Sequence, residues 1–120
     1  MELHFEAREL KPYAEPVSSA DLREGEVYFA VNFIDDEMLI PTMETVVFAG
    51  RNLAAGDAGL VYFQDIDSYR EGIRYHSVSE EAEATFQVGP ENNIGHIFQY
   101  ERALEQLMGC SLRRKEAGLV

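Results

Sequence analysis

The chain has 120 residues, of which 22 are acidic and 10 are basic, and its formal net charge at pH 7 is -12. A protein that binds nucleic acid neutralises phosphates with Lys and Arg, so this charge argues against DNA, RNA and anionic membranes as partners. The length suits one hydrophobic core and 46% of the residues are hydrophobic, so we expect residues 1–120 to fold as a single domain.

Signals for export, membrane insertion and cofactor binding are weak. The longest apolar stretches are about eight residues, whereas a membrane-spanning helix needs roughly 20. No basic and then apolar leader follows Met1. Cys110 is the only cysteine, so neither an intrachain disulfide nor a thiolate zinc cluster can form. We therefore expect a cytoplasmic protein without a cofactor.

Apolar runs predict five or six short strands within residues 3–88. Leu3, Phe5 and Ala7 alternate with polar residues, which is typical of a half-buried edge strand. Residues 27–34 are apolar or aromatic except for Asn32, which is typical of a central strand covered on both faces. Further strands are predicted at residues 38–40, where Pro41 interrupts a return strand, and at 45–49, 60–63, 73–77 and 84–88.

Glycines and capping residues mark the connections between these strands. Ser18 is placed to cap one helical turn that Gly25 ends, and Asp65 is placed to cap another that Gly72 closes. Gly50 is expected to end the strand that precedes it.

A C-terminal amphipathic helix is predicted over about residues 93–110, followed by a tail at 111–120. Its apolar residues are spaced three and four apart: Ile94, Ile97, Phe98, Leu104, Leu107 and Met108. Basic residues follow where a helix C-terminus favours cations: Arg113, Arg114 and Lys115. Strands with one such helix indicate an α+β fold, either a small, strongly curved antiparallel sheet or an SH3-like β-barrel.

The charges are unevenly distributed along the chain. Residues 24–69 contain nine acidic residues and one base, Arg51, whereas residues 102–115 contain four bases and one acid. An acidic coat of this kind usually serves solubility, and it also suits the docking of a basic partner. The densest acidic segment, Asp35, Asp36 and Glu37, is predicted to be a hairpin tip. Such a tip is commonly a solvated turn that opposes aggregation.

Tyrosines add a second signal for binding, because a tyrosine ring offers rigid contact area with a polar tip and is enriched at interfaces. The alternative is that the rings only cover the sheet. Combining both signals, we predict a binding surface made of Tyr28, Asp35, Asp36, Glu37, Tyr62 and Tyr69.

Motifs for catalysis are absent from the sequence. It has no Gly-x-Ser-x-Gly elbow, no phosphate-binding Gly-x-x-x-x-Gly-Lys and no Gly-x-Gly-x-x-Gly. A calcium loop starting at Asp65 fails, because Arg70 stands where the loop requires glycine. No catalytic or metal-binding residue is predicted. The best remaining metal hypothesis joins His76 to Glu80 and Glu81, with His96 as a further ligand.

The leading hypothesis is therefore a small acidic, non-enzymatic protein-interaction domain. Its partner is expected to be a basic protein, as for an immunity protein or an inhibitor of a basic enzyme, or a second copy of the chain. The alternative is a small enzyme, or a ligand- or metal-binding protein, with a pocket between the sheet and the C-terminal helix that uses His76 and His96. A third reading is an architectural subunit of a larger complex.

Overall fold

The computed structural model describes residues 1–77 and 83–119. In these residues the regular elements, in chain order, are β1 (Val27–Phe33), β2 (Pro41–Arg51), β3 (Leu60–Asp65), α1 (Ile66–Arg70), β4 (Phe86–Pro90), β5 (Ile97–Phe98) and α2 (Tyr100–Glu116). Two short 3-10 turns, Ser19–Asp21 and Tyr75–Ser77, lie in the connections. No described helix has the length and hydropathy that crossing a membrane requires.

The five strands form one antiparallel sheet in the order β4-β3-β2-β1-β5. This confirms an α+β fold with an antiparallel sheet and a C-terminal helix. Within the described residues the edge strands β4 and β5 do not pair, so the sheet is open, and the predicted barrel and strong curvature are not confirmed. At the β5 edge a loop takes the place of a strand, because the Val17 amide donates to the carbonyl oxygen of Ile97 at 2.9 Å.

The sheet has two covered faces, because side chains alternate along each strand. On the first, the loop face, Val17, Leu22 and Ile94 from the connections cover Tyr28, Ala30, Val46, Phe48, Val61, Phe63 and Ile97. On the opposite side, the helix face, Ala103 and Leu107 of α2 pack on a cluster made of Phe29, Val31, Phe33 and Phe98. The segment after β3 covers the rest of the helix face, where the rings of Tyr62 and Tyr75 lie 5.1 Å apart.

The β1–β2 hairpin is longer than predicted. Pro41 opens β2 and pairs with Phe33, so it does not interrupt a strand that began at residue 38. Proline is tolerated at the first position of a strand, where its missing N–H is not needed. Gly50 does not end β2, which continues to Arg51. It lies instead at a bulge next to Phe48, with φ at +139°.

The predicted strand at residues 3–7 is wrong. Residues 1–17 contain no helix or strand, and the side chains of Leu3 and Phe5 are 74% and 88% exposed. An alternating pattern becomes a strand only where a sheet edge offers it hydrogen bonds, and the Val17 segment already occupies the β5 edge. The N-terminal segment runs beside α2 instead, where Arg8 contacts Glu105 at 3.2 Å.

The C-terminal helix begins and ends later than predicted. Ile97 and Phe98 pair with Ala30 and Phe29 as β5, so α2 begins at Tyr100 and not near residue 93. It continues to Glu116, so the basic residues predicted to lie in a tail form its last turn. The predicted strand at 73–77 is a loop ending in a 3-10 turn, and the one at 84–88 lies at Phe86–Pro90.

Candidate functional site

The acidic hairpin tip between β1 and β2 is an ordered loop. The Asp35 carboxylate accepts hydrogen bonds from the amides of Leu39 at 3.0 Å and Ile40 at 2.8 Å. Met38 has a positive φ of 60°, which lets the chain turn back toward β2. Desolvation alone would raise the pKa of Asp35, but the two amides and the charge of Arg113 outweigh it and lower the pKa below its ordinary value. Asp35 therefore closes the loop as an ionised carboxylate.

Two arginine side chains from the last turns of α2 donate hydrogen bonds to the backbone of this loop. Nε of Arg113 donates to the Met38 carbonyl oxygen at 3.0 Å, and Nη1 of Arg114 donates to the Leu39 carbonyl oxygen at 2.7 Å. The Arg113 guanidinium also lies over the ring of Phe33, with its central carbon 5.3 Å from the ring centroid. The tip is thus fixed by its own carboxylate and by two arginines of the helix.

A groove of about 590 Å³ lies between the N-terminal segment, the hairpin tip and α2. We call it the tip groove. Its lining residues are Leu10, Lys11, Pro12, Tyr13, Asp36, Glu37, Met38, Gly109, Leu112, Arg113 and Glu116.

The tip groove combines a rim of three carboxylates, called the acidic rim below, with an apolar floor, and the basic side chains of Lys11 and Arg113 also line it. Asp36, Glu37 and Glu116 line it with exposed carboxylates. Tyr13 and Leu112 add large apolar surfaces that are 70% and 49% exposed. Carboxylates attract Lys and Arg while a tyrosine provides contact area, but the tyrosine here is Tyr13 and not one of the three predicted from the sequence.

The structure places the six predicted binding residues at separate sites. Asp35, Asp36 and Glu37 lie together at the tip, where Asp35 is used by the loop itself and the other two line the groove. The three tyrosines lie elsewhere in the fold. Tyr28 and Tyr62 are buried, whereas Tyr69 is half-buried beneath the guanidinium of Arg74.

The burial of Tyr28 and Tyr62 has a visible cause in each case. The Tyr28 hydroxyl accepts from the Arg23 amide at 3.0 Å, so its polar tip is satisfied on the loop face without water. Tyr62 packs against Tyr75 on the helix face. Sequence reasoning missed Tyr13, which lines the tip groove. Its only signal was an aromatic residue beside Pro12 in an irregular segment.

The histidines proposed for the alternative site are not brought together. His76 is exposed and adjoins Tyr75, which packs on the helix face. His96 is half-buried and lines a cavity of about 130 Å³ next to Val61 and Phe63, which belong to the loop face. The other two suggested ligands, Glu80 and Glu81, lie outside the described residues. Across residues 1–77 and 83–119, no three His, Cys, Asp or Glu side chains form a group able to hold a metal ion.

No protein-family model, curated protein or solved structure matches this chain. A fold alone does not determine an activity, so the residues of the site are what indicate a function. The candidate site consists of the fixed acidic tip and the apolar floor beside it.

Proposed function

We propose that the protein is a non-enzymatic interaction domain that binds a basic segment of another protein in the tip groove. The acidic rim would attract Lys and Arg side chains and speed the encounter. Tyr13 and Leu112 on the floor would hold an apolar side chain of the partner, because buried aromatic contacts carry much of the affinity of an interface.

One observation supports this proposal above the others, namely that the hairpin tip is fixed before any partner arrives. Asp35, Arg113 and Arg114 together bond four backbone groups of the loop, the amides of residues 39 and 40 and the carbonyls of residues 38 and 39. Asp36 and Glu37 are therefore presented without the entropy cost of ordering a flexible loop on binding.

The chemistry of the tip groove defines the partner's segment. It carries Lys or Arg on both sides of one apolar residue, so that the charges meet the rim and the apolar side chain meets the floor. The whole chain supports this preference, because its net charge of -12 repels acidic proteins. An immunity-like or inhibitor-like protein that neutralises a basic enzyme in the cytoplasm is one concrete version of the proposal.

The test measures the binding of short peptides to the purified protein by fluorescence anisotropy. The peptides place one Leu or Phe between Lys or Arg residues, and the reference peptides replace the basic residues with Gln. We expect the double variant D36N/E37Q to bind the basic peptides at least about tenfold more weakly than wild type. The matched control is D67N/E71Q, which removes the same charge at exposed positions on and after α1, and we expect it to change affinity less than about twofold.

Three results would overturn the proposal. Equal loss of affinity in both double variants would show diffuse charge attraction and no groove. If the basic peptides bind no better than their Gln versions, the acidic rim does not contribute to affinity. An affinity that is indifferent to ionic strength would exclude the electrostatic part, because exposed charges are screened by salt.

A further inference from the structure

The solvent side of α2 carries an apolar stripe. Tyr100, Leu104, Met108 and Leu112 stand four residues apart and are between 43% and 64% exposed. The adjacent side of the helix packs on the protein through Ala103, Leu107 and Cys110. Tyr100 lies at the border of the two sides, because its ring contacts that of Phe29 with centroids 5.2 Å apart. Leu104, Met108 and Leu112 are therefore additional to the face that the fold buries. A solvent-facing helix surface is normally polar, and a contiguous exposed apolar patch marks an interaction site.

The central part of the stripe is symmetric about Met108, whereas the counterpart of Tyr100 on the other side is Glu116. Leu104 and Leu112 lie four residues before and after Met108, on the same side of the helix. Glu101 and Lys115 lie seven residues before and after it, about two helical turns away, and both are exposed. An acidic residue, Glu101, therefore lies on the stripe side near one end, and a basic residue, Lys115, lies there near the other.

This symmetry makes the stripe complementary to itself in one orientation. If a second α2 lies antiparallel with the two Met108 side chains at the centre, Leu104 faces Leu112 of the second copy. Glu101 then faces Lys115 of the second copy, and the same contacts repeat on the other side of the axis, as a twofold interface requires. A parallel arrangement would instead place Glu101 against Glu101 and Lys115 against Lys115.

The charge of the whole chain also selects this surface for self-association. Two copies with a net charge of -12 each repel one another. The helix α2 carries four bases and three acids, so it is close to neutral in an otherwise acidic chain. The copies therefore repel each other less when they approach through this helix than through their acidic surfaces.

We propose that the protein forms a symmetric dimer through antiparallel packing of α2 on α2 of a second copy, with Met108 at the twofold axis. The rows of residues four apart interdigitate as ridges in grooves. The competing occupant is the chain's own N-terminal segment, which carries Leu3 and Phe5. That segment passes beside the stripe, where Arg8 contacts Glu105, and both apolar side chains remain exposed. The dimer is argued without the function proposed for the tip groove, but the two surfaces share Leu112, so a second copy docked on α2 would cover part of the groove's floor.

The first test is sedimentation velocity of the full chain over about a hundredfold range of concentration. We expect wild type to sediment as a dimer at the upper end of the range, and M108E to sediment as a monomer because it places two carboxylates at the axis. The matched control is M43E, since Met43 is another methionine that is 56% exposed, on β2. M43E is expected to dimerise as wild type does, and circular dichroism checks that both variants are folded.

The second test reverses the charges at the two ends of the stripe. Either E101K or K115E alone places like charges opposite each other in the antiparallel dimer, and we expect each to weaken dimerisation at least about fivefold. The double variant E101K/K115E restores opposite charges in that arrangement, and we expect its dimerisation constant to return to within about threefold of wild type.

Several results would overturn the dimer. Wild type could sediment as a monomer throughout the range, M43E could disrupt association as much as M108E, or the double reversal could fail to restore it. A wild type that stays monomeric while the variant L3S/F5S dimerises would show that the N-terminal segment, and not a second copy, covers the stripe. The variant D36N/E37Q separates the two proposals, because it changes the tip groove without changing the stripe, and we expect its dimerisation to equal that of D67N/E71Q, which removes the same charge away from the groove.

Discussion

Arg113 and Met38 are 75 positions apart in the chain, yet Nε of Arg113 donates a hydrogen bond of 3.0 Å to the carbonyl oxygen of Met38. Arg114 makes the equivalent contact with the next carbonyl, that of Leu39, at 2.7 Å. Neither carbonyl belongs to a strand, so each needs a partner from elsewhere if it is shielded from water. The end of α2 and the tip of the β1–β2 hairpin therefore form one structural unit.

Replacing Arg113 with Met is expected to reduce the free energy of unfolding by about 1 to 3 kcal/mol. The Met38 carbonyl would lose a charged donor, while Met retains much of the apolar stem that packs near Phe33. Urea unfolding measures the change. The control is Arg102→Met, which removes a guanidinium from an exposed ion pair with Glu105 and should have a smaller effect. Equal losses in the two variants would contradict the role given to Arg113.

Asp65 is expected to make stability fall at acid pH. Burial would raise the pKa of Asp65, but hydrogen bonds from the Ser68 hydroxyl and from the amides of Thr85 and Ser68 outweigh it and lower the pKa. A lowered folded-state pKa contributes stability that is complete above the ordinary carboxyl range, near pH 4, and is lost as the pH falls through the folded value.

The variant Asp65→Asn tests this contribution. It keeps the size of the side chain but replaces one of the two carboxylate oxygens, both of which accept hydrogen bonds, with an NH2 group that cannot accept, so we expect a loss of about 1 to 3 kcal/mol at pH 7. The difference from wild type should shrink as the pH falls below the ordinary carboxyl range, because wild type then loses the same bonds. Urea unfolding at a series of pH values measures it, with the exposed Asp67→Asn as control. A difference in the free energy of unfolding between wild type and Asp65→Asn that stays constant with pH would contradict this role of the Asp65 carboxylate.

His96 is expected to oppose folding when it is protonated. Its burial lowers the pKa of the imidazole, so the unfolded chain takes up a proton more readily than the folded chain does. The stability that depends on neutral His96 is therefore present above the ordinary histidine pKa of about 6.5 and is lost as the pH falls below it. Thermal unfolding between about pH 5 and 8 should show less pH dependence in His96→Gln than in wild type. The control His76→Gln changes an exposed histidine, and an identical response in both variants would refute the assignment.

Gly50 is expected to resist replacement. A Cβ atom there would lie 2.7 Å from Oε1 of Glu24 and 3.0 Å from Cδ2 of Leu53, at a φ of +139° that L-residues rarely adopt. We expect Gly50→Ala to destabilise the protein by about 1 to 3 kcal/mol, through backbone strain and crowding at the bulge. Gly89→Ala in β4 is the control, because no described atom lies within 4 Å of its Cβ position. Similar melting temperatures for Gly50→Ala and wild type would show that the bulge can relax.

The central part of the fold could be predicted from the sequence, because local signals there agree with tertiary structure. The continuous apolar run of β1 lies between two strands and is covered on both faces, as its composition indicates. Asp65 caps α1 as predicted, since a cap depends on residues only three apart.

The errors arise where a pattern needs a distant partner. Leu3 and Phe5 alternate as a strand does, but alternation cannot show that a sheet edge is available. Ile97 and Phe98 fit a helical stripe, yet β1 offers them a ladder of hydrogen bonds and they become β5. Such competition is decided by the rest of the molecule and not by the local sequence.

The candidate site also combines features that local sequence predicts with features that depend on distant contacts. Charge density alone pointed to Asp36 and Glu37, which line the groove. The contribution of Tyr13, and the fixing of the tip by Arg113, depend on contacts between segments far apart in the sequence. The sequence could not separate buried tyrosines from exposed ones, because the hydroxyl of Tyr28 finds its partner in a backbone amide of a loop.

The position of β5 has a consequence for the order in which the protein assembles during translation. Strands β1 to β4 are consecutive in the sequence and adjacent in the sheet, so each can pair with the preceding strand as the chain leaves the ribosome. One edge of β1 receives its neighbour only when residues 97–98 emerge, and that neighbour is followed at once by α2. Until then the nascent chain exposes an unpaired strand edge and an apolar surface. Because such surfaces aggregate, we expect a chaperone to bind the nascent chain during this interval.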